Sequence, residues 1–149
     1  MSRKKSEIQP DWPVWYQPEA ALGSAVRYVA SLSPDFNWVG IYLLKGKTLE
    51  LGPFIGEETE HTRIPVGVGV CGTAVAENAD QNVPDVTATS NYLACSLKTR
   101  SELVVLIRDG AGKIRGQIDI DSHVRAAFGP DKESAVRKVA DELGELWPA

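Results

Sequence analysis

The chain has no long apolar run, few cysteines and no excess of positive charge, and each shortage removes a class of function. Nothing in its 149 residues approaches about eighteen consecutive apolar positions, the length of a membrane-spanning helix. The basic start Arg3-Lys4-Lys5 leads into Ser6-Glu7-Ile8-Gln9-Pro10-Asp11, not into the apolar stretch of a secretion signal. The expectation is a soluble, cytoplasmic protein with no membrane partner. A formal net charge of −4 gives a phosphate backbone no general attraction, so nucleic acid is not an expected partner either. Two cysteines, Cys71 and Cys95, do not make a disulfide framework. The spacing Cys-x-x-Cys is absent, and neither a metal nor a bound cofactor is expected.

What is present fits one compact domain: 43% hydrophobic residues suffice for a core, and there is no repeat or low-complexity tract. Residues 1–16, with Pro10, Pro13, Trp12, Trp15 and Tyr16, read as an arm packed on a single domain spanning 17–149. Pro18 suits the first turn of a helix, and Leu22, Val26 and Val29 recur at helical spacing, predicting a helix that ends near Ser33-Pro34. Residues 36–44 and 48–54 flank the turn signal Lys45-Gly46-Lys47 and predict an antiparallel hairpin. Gly67 and Gly69 break the chain before a short helix over about 70–77, and 81–86 is a weak strand. A second hairpin, 101–109 and 113–122, surrounds Gly110-Ala111-Gly112. A closing helix begins at Gly129-Pro130-Asp131, with a stripe of Ala135, Val139, Leu143 and Leu146. Together these elements imply an α+β domain with a central antiparallel sheet.

Two cysteines in connecting segments and three carboxylates on predicted strands, Glu102, Asp119 and Asp121, point to thiol chemistry beside an acid. A thiol is nucleophilic as thiolate, and carboxylates crowded into one site raise one another's pKa until one can hold a proton near neutrality. Cys71 falls at the start of a predicted helix, where backbone amides favour a thiolate. It reads equally as a small residue packed under a glycine-rich turn. Cys95 lies in a polar loop over 87–100, long enough to suggest more than a connection. Side chains alternate along a strand, so Asp119 and Asp121 share one face with Gln117, and Trp38 and Tyr42 share one face with Gly40. Period alone turns the aspartate face to water and makes the two aromatics core. Arg63 and Arg100 read as solvated or paired with acids, and His123 as part of a surface loop.

The order and spacing of Asn37-Trp38-Val39-Gly40-Ile41-Tyr42-Leu43-Leu44, Leu51-Gly52-Pro53-Phe54, Arg63-Ile64-Pro65, Gly69-Val70-Cys71-Gly72-Thr73-Ala74, Val83-Pro84-Asp85-Val86, Leu93-Ala94-Cys95, Arg100-Ser101-Glu102-Leu103-Val104-Val105 and Asp119-Ile120-Asp121-Ser122 resemble the free methionine-(R)-sulfoxide reductase family. The resemblance implies a stand-alone GAF domain, with N- and C-terminal helices on one sheet face and a ligand cup on the other. It implies that Cys95 attacks the sulfoxide sulfur. Trp38, and with less weight Tyr42, would contact the substrate, and Glu102, Asp119 and Asp121 would hold its ammonium and supply a proton. The aspartate face then lines the cup and does not face water. A thioredoxin-like thiol reductant would restore the enzyme, and a homodimer is compatible with the chain. One position departs from the family: ten residues before Cys71, where the resolving cysteine usually stands, this chain has His61. Cys71 or an external thiol would then have to resolve the oxidised nucleophile. The competing expectation is a GAF module that binds a small zwitterion without turnover. A cyclic-nucleotide role is disfavoured by the absence of a basic phosphate cradle.

Overall fold

A computed structural model describes residues 18–88 and 97–147. The expected arm at 1–16 and the expected nucleophile Cys95 lie outside these described residues. Ten elements follow in order: α1 (Pro18–Ser31), β1 (Trp38–Lys45), β2 (Thr48–Ile55), β3 (Arg63–Pro65), α2 (Gly69–Glu77), β4 (Gln81–Val83), a 3-10 turn (Val86–Ala88), β5 (Ser101–Arg108), β6 (Ile114–Ser122) and α3 (Pro130–Glu145). The strands form one antiparallel sheet in the order β3-β2-β1-β6-β5-β4.

Both expected hairpins are present. The first closes through Gly46, whose φ of +63° is the left-handed geometry that a two-residue turn asks of its first position. The second pairs Ser101 with Ser122 and runs to Arg108 opposite Ile114. The long-range step is the pairing of β1 with β6, which sets Trp38 opposite Asp121, Gly40 opposite Asp119 and Tyr42 opposite Gln117.

Alternation gives the sheet two unlike faces. Val39, Ile41 and Leu43 of β1, Leu103, Val105 and Ile107 of β5, and Ile118 and Ile120 of β6 form one core with α1 and α3. Leu22, Val26 and Val29 of α1 are buried in it as their spacing predicts. Every other residue of the same strands points the opposite way. There Trp38, Tyr42, Val104 and Leu106 pack with Leu49, Ile64 and α2.

Three sequence expectations need correction. The 81–86 strand is shorter than its pattern: pairing stops at Val83, and the chain turns at Asp85, whose Oδ1 accepts hydrogen bonds from the Thr87 amide at 3.0 Å and its hydroxyl at 2.7 Å. The stripe of α3 is rotated from the expected one. Val136, Val139, Ala140 and Leu143 face the core, Ala135 is only half-buried, and Leu146 lies past the helix end and is exposed. The buried set follows the i, i+3, i+4, i+7 rule of an amphipathic helix more closely than the stripe read from sequence. Finally β3, three residues long and paired to β2 through Ile64 opposite Leu49, is a strand that no periodicity could announce.

Close approach also constrains α3. Gly144 lies so near the main chain of β5 that a β-carbon there would collide with the Arg108 carbonyl oxygen.

Candidate functional site

The second sheet face is polar at one end. Asp119 and Asp121 on β6 and Glu102 on β5 are each no more than 3% exposed, and Gln117 is fully buried beside them. The bare strand period, which sent this face to water, is overturned: the strand lies beside the Trp38 strand as the family resemblance implied, and its polar face is buried. Register explains the convergence: Glu102 stands directly opposite Asp121, which stands opposite Trp38, and Asp119 lies between Val104 and Gly40.

α2 delivers the thiol. Val68, in extended geometry, precedes it without a side-chain cap, and the left-handed Gly67 and Gly69 let the chain double back before the helix starts. Gly72 is required here as well, because a β-carbon would strike the Pro65 carbonyl. Cys71, in the first turn, is buried with its Sγ 3.9 Å from Glu102 Oε2, a thiol hydrogen bond to the carboxylate. Gln117 donates from Nε2 to the Cys71 carbonyl at 3.0 Å, fixing the helix start over β6. Donor atoms of Cys71, Glu102 and Asp119 lie within 4.8 Å of one another.

Burial pushes the Asp119 carboxyl above its ordinary range, and the Glu102 and Cys71 side chains pull it down too weakly to cancel this. A carboxyl with a raised pKa holds its proton to higher pH than a free one and can act as a proton donor.

The aromatic wall is tightly built. The Trp38 indole stacks on Phe54 at 5.6 Å between ring centres, donates from Nε1 to the Glu57 carbonyl at 3.0 Å, and lies 6.4 Å from the Tyr42 ring. Gly40 and Gly56 flank it, and a β-carbon at either would meet the ring. Tyr42 is fully buried and donates its hydroxyl to the His61 carbonyl at 2.8 Å. Tyr42 and Trp38 therefore pin the segment between β2 and β3. His61, on that segment, lines a small recess of about 10 Å³ with Cys71, Glu102, Ile64, Val68, Gly69 and Val70. The replaced cysteine position thus abuts the site itself.

Arg63 pairs with Glu50 at 3.6 Å and Arg100 donates to the carbonyls of Leu97, Lys98 and Thr99, so neither reaches the carboxylates. His123 is exposed, as expected of a surface loop. Gln117 was legible only as a neighbour of the aspartates by alternation; its bond to the Cys71 main chain depends on α2, which no local pattern locates.

An antiparallel six-stranded sheet with helices on one face and a short helix closing a polar pocket on the other defines a GAF domain. No family model matches the chain. Among curated proteins it is 42% identical over 129 residues to the free methionine-R-sulfoxide reductase of Escherichia coli, covering 85% of this chain and 76% of that one. A solved type II free methionine-R-sulfoxide reductase from Thermoplasma acidophilum superposes with a TM-score of 0.82 at 38% identity, covering 87% of this chain and 91% of the other. The Neisseria meningitidis free methionine-R-sulfoxide reductase, solved in complex with its substrate, gives a TM-score of 0.80 at 34% identity, covering 87% and 77%. The chain belongs to the free methionine-R-sulfoxide reductase family of oxidoreductases.

Proposed function

We propose that this protein carries out its family's reaction, the thiol-dependent reduction of free L-methionine-(R)-sulfoxide, with Cys95 as nucleophile. The observation that carries the reading is a buried carboxylate whose pKa is raised by burial, held beside a second carboxylate and a thiol on the polar sheet face. The Cys95 thiolate adds to the sulfoxide sulfur as the sulfoxide oxygen takes a proton; the hydroxyl then passes from that sulfur to the Cys95 sulfur as the S–O bond and the new S–S bond break, releasing methionine and leaving Cys95 as sulfenic acid. Two electrons pass from the thiolate to the sulfoxide, and the oxygen stays on Cys95. Two equivalents of external thiol then regenerate Cys95 and release water and a disulfide, with no bound cofactor.

The raised pKa of its buried carboxyl supports Asp119 as the proton donor. Glu102 and Asp121, opposite each other across β5 and β6, suit the substrate ammonium. Trp38, with Tyr42 behind it, forms the wall for the methyl-sulfur end, for which an indole face is chemically suited. Cys71 serves either as resolving thiol or as partner to Glu102, with a thioredoxin-like protein as final reductant. Among the described residues no helix is long and apolar enough to cross a membrane; a reducing cytoplasm is the compartment that suits this chemistry.

The test is conversion of the separated (R) and (S) epimers with dithiothreitol. Turnover of the (R) epimer alone, abolished in Cys95→Ser with unchanged circular dichroism, is expected. Saturable binding of the sulfoxide without conversion would make the protein a ligand-binding GAF module instead. Multi-turnover activity in Cys71→Ser with a monothiol assigns resolution to external thiol. A stall after one turnover, with an intramolecular disulfide in the wild type by mass, assigns it to Cys71.

A further inference from the structure

Cys71 on α2, Glu102 on β5 and Asp119 on β6 bring one soft donor and two hard ones to a single buried point, their ligand atoms within 4.8 Å of one another. Both Asp119 carboxylate oxygens are fully buried, held only by the weak pull of the Glu102 and Cys71 side chains, and Gln117 Oε1 nearby is buried without a hydrogen bond. Beside it is the recess between His61, Cys71 and Glu102, whose roughly 10 Å³ is about one water's room. Among the described residues no lysine or arginine lines that recess. A small space bounded by a thiol and a carboxylate, with a second carboxylate beside them, is a donor set for one class of ligand.

We propose that this cluster binds a thiophilic divalent cation of zinc's kind, through the Cys71 thiolate, Glu102 and Asp119. Sulfur in the set selects against magnesium and calcium, which take oxygen ligands in larger numbers. Donors around a tetrahedral zinc with thiolate and carboxylate ligands sit about 3.5 Å apart, so the cluster needs to contract by about 1 Å. The donors come from positions 71, 102 and 119, which is why no short spacing in the sequence reveals them. Binding displaces the thiol proton and so strengthens as pH rises. Because the donors are groups assigned to substrate, the bound cation excludes methionine sulfoxide and inhibits turnover. That consequence rests on the reductase reading, whereas cation binding itself does not.

The experiment is a titration of the reduced, metal-free full chain with Co²⁺, followed by thiolate-to-cobalt charge transfer and by visible bands of tetrahedral intensity. One equivalent should bind and be displaced by Zn²⁺. The charge-transfer band should vanish in Cys71→Ser and persist in Cys95→Ser. Asp119→Asn, with folding checked by circular dichroism, should weaken Zn²⁺ at least about tenfold. No charge-transfer band, a band that survives Cys71→Ser but is lost in Cys95→Ser, or unchanged affinity in Asp119→Asn overturns the site. Free methionine sulfoxide should raise the apparent Kd for Co²⁺; binding indifferent to it overturns the inhibitory consequence. The spectra need no turnover, so an inactive protein would sink the reductase reading while leaving the metal site to stand or fall by itself.

Discussion

Gly40→Ala probes how the Trp38 indole is held in place. A β-carbon at Gly40 would lie 2.7 Å from Cζ3 of Trp38, nearer still to Cη2, and 3.1 Å from the Phe54 β-carbon. The indole has nowhere to retreat: it is 5% exposed, stacked on Phe54, blocked by Gly56 and bonded to the Glu57 carbonyl. Forcing an extra carbon into a filled space costs about 1–3 kcal/mol, and losing the indole hydrogen bond adds about 1 kcal/mol. A total near 3 kcal/mol lowers Tm by roughly 6–12 °C in a domain of this size. In a Trp38→Ala background the ring collision is gone and only the 3.1 Å approach to the Phe54 β-carbon remains, so the same substitution should cost much less, and the coupling energy between the sites should be most of the penalty. Urea unfolding of the four proteins measures it. A neutral Gly40→Ala, or an equal cost in both backgrounds, would falsify the argument that this glycine exists to seat the indole. If Trp38 walls the substrate as proposed, a raised KM should accompany the wild-type-background variant.

Asp119→Asn should be more stable than the wild type at neutral pH and inactive. Because burial raises the folded pKa, the folded state binds the proton more tightly than the unfolded chain. Wild-type stability therefore falls as pH rises from the unfolded value, about 4, through the folded one. The variant lacks this penalty, so its advantage in urea midpoint should grow with pH across that window; an advantage that shrinks with rising pH refutes the direction. Tyr42→Phe strips the buried donor from the His61 carbonyl and should cost about 1–3 kcal/mol. It should also speed amide exchange around 57–63 more than in β5, and uniform exchange would contradict the pinning role. Gly144→Ala should destabilise by about 1–3 kcal/mol through collision with the Arg108 carbonyl, leaving KM unchanged in the folded fraction. A Gly144→Ala protein as stable as the parent would show that α3 can shift.

Hairpins and helices were legible because their patterns are local. Lys45-Gly46-Lys47 and Gly110-Ala111-Gly112 mark tight reversals, and Leu22, Val26 and Val29 repeat with the helix. The site was legible in part. Asp119 and Asp121 could be put on one strand face, but whether that face meets water depends on what covers it, and α2 docks through Gly72 and Gln117 by contacts distant in sequence. Likewise β3 owes its existence to its partner β2, not to three residues of pattern. His61 read as a bare substitution of a thiol; only the folded segment shows that this residue lines the recess beside Cys71 and Glu102.

The two faces of the sheet divide labour by the parity of residue number. In β1 and β5 the odd positions belong to the core with α1 and α3, and the even ones to the pocket; in β6 the assignment is reversed. Selection for a new ligand can therefore act on alternate positions while the scaffold's own sequence stays fixed. A single-residue deletion within any of these strands would exchange the two sets at once, so evolution of this pocket must proceed by replacement and not by change of length.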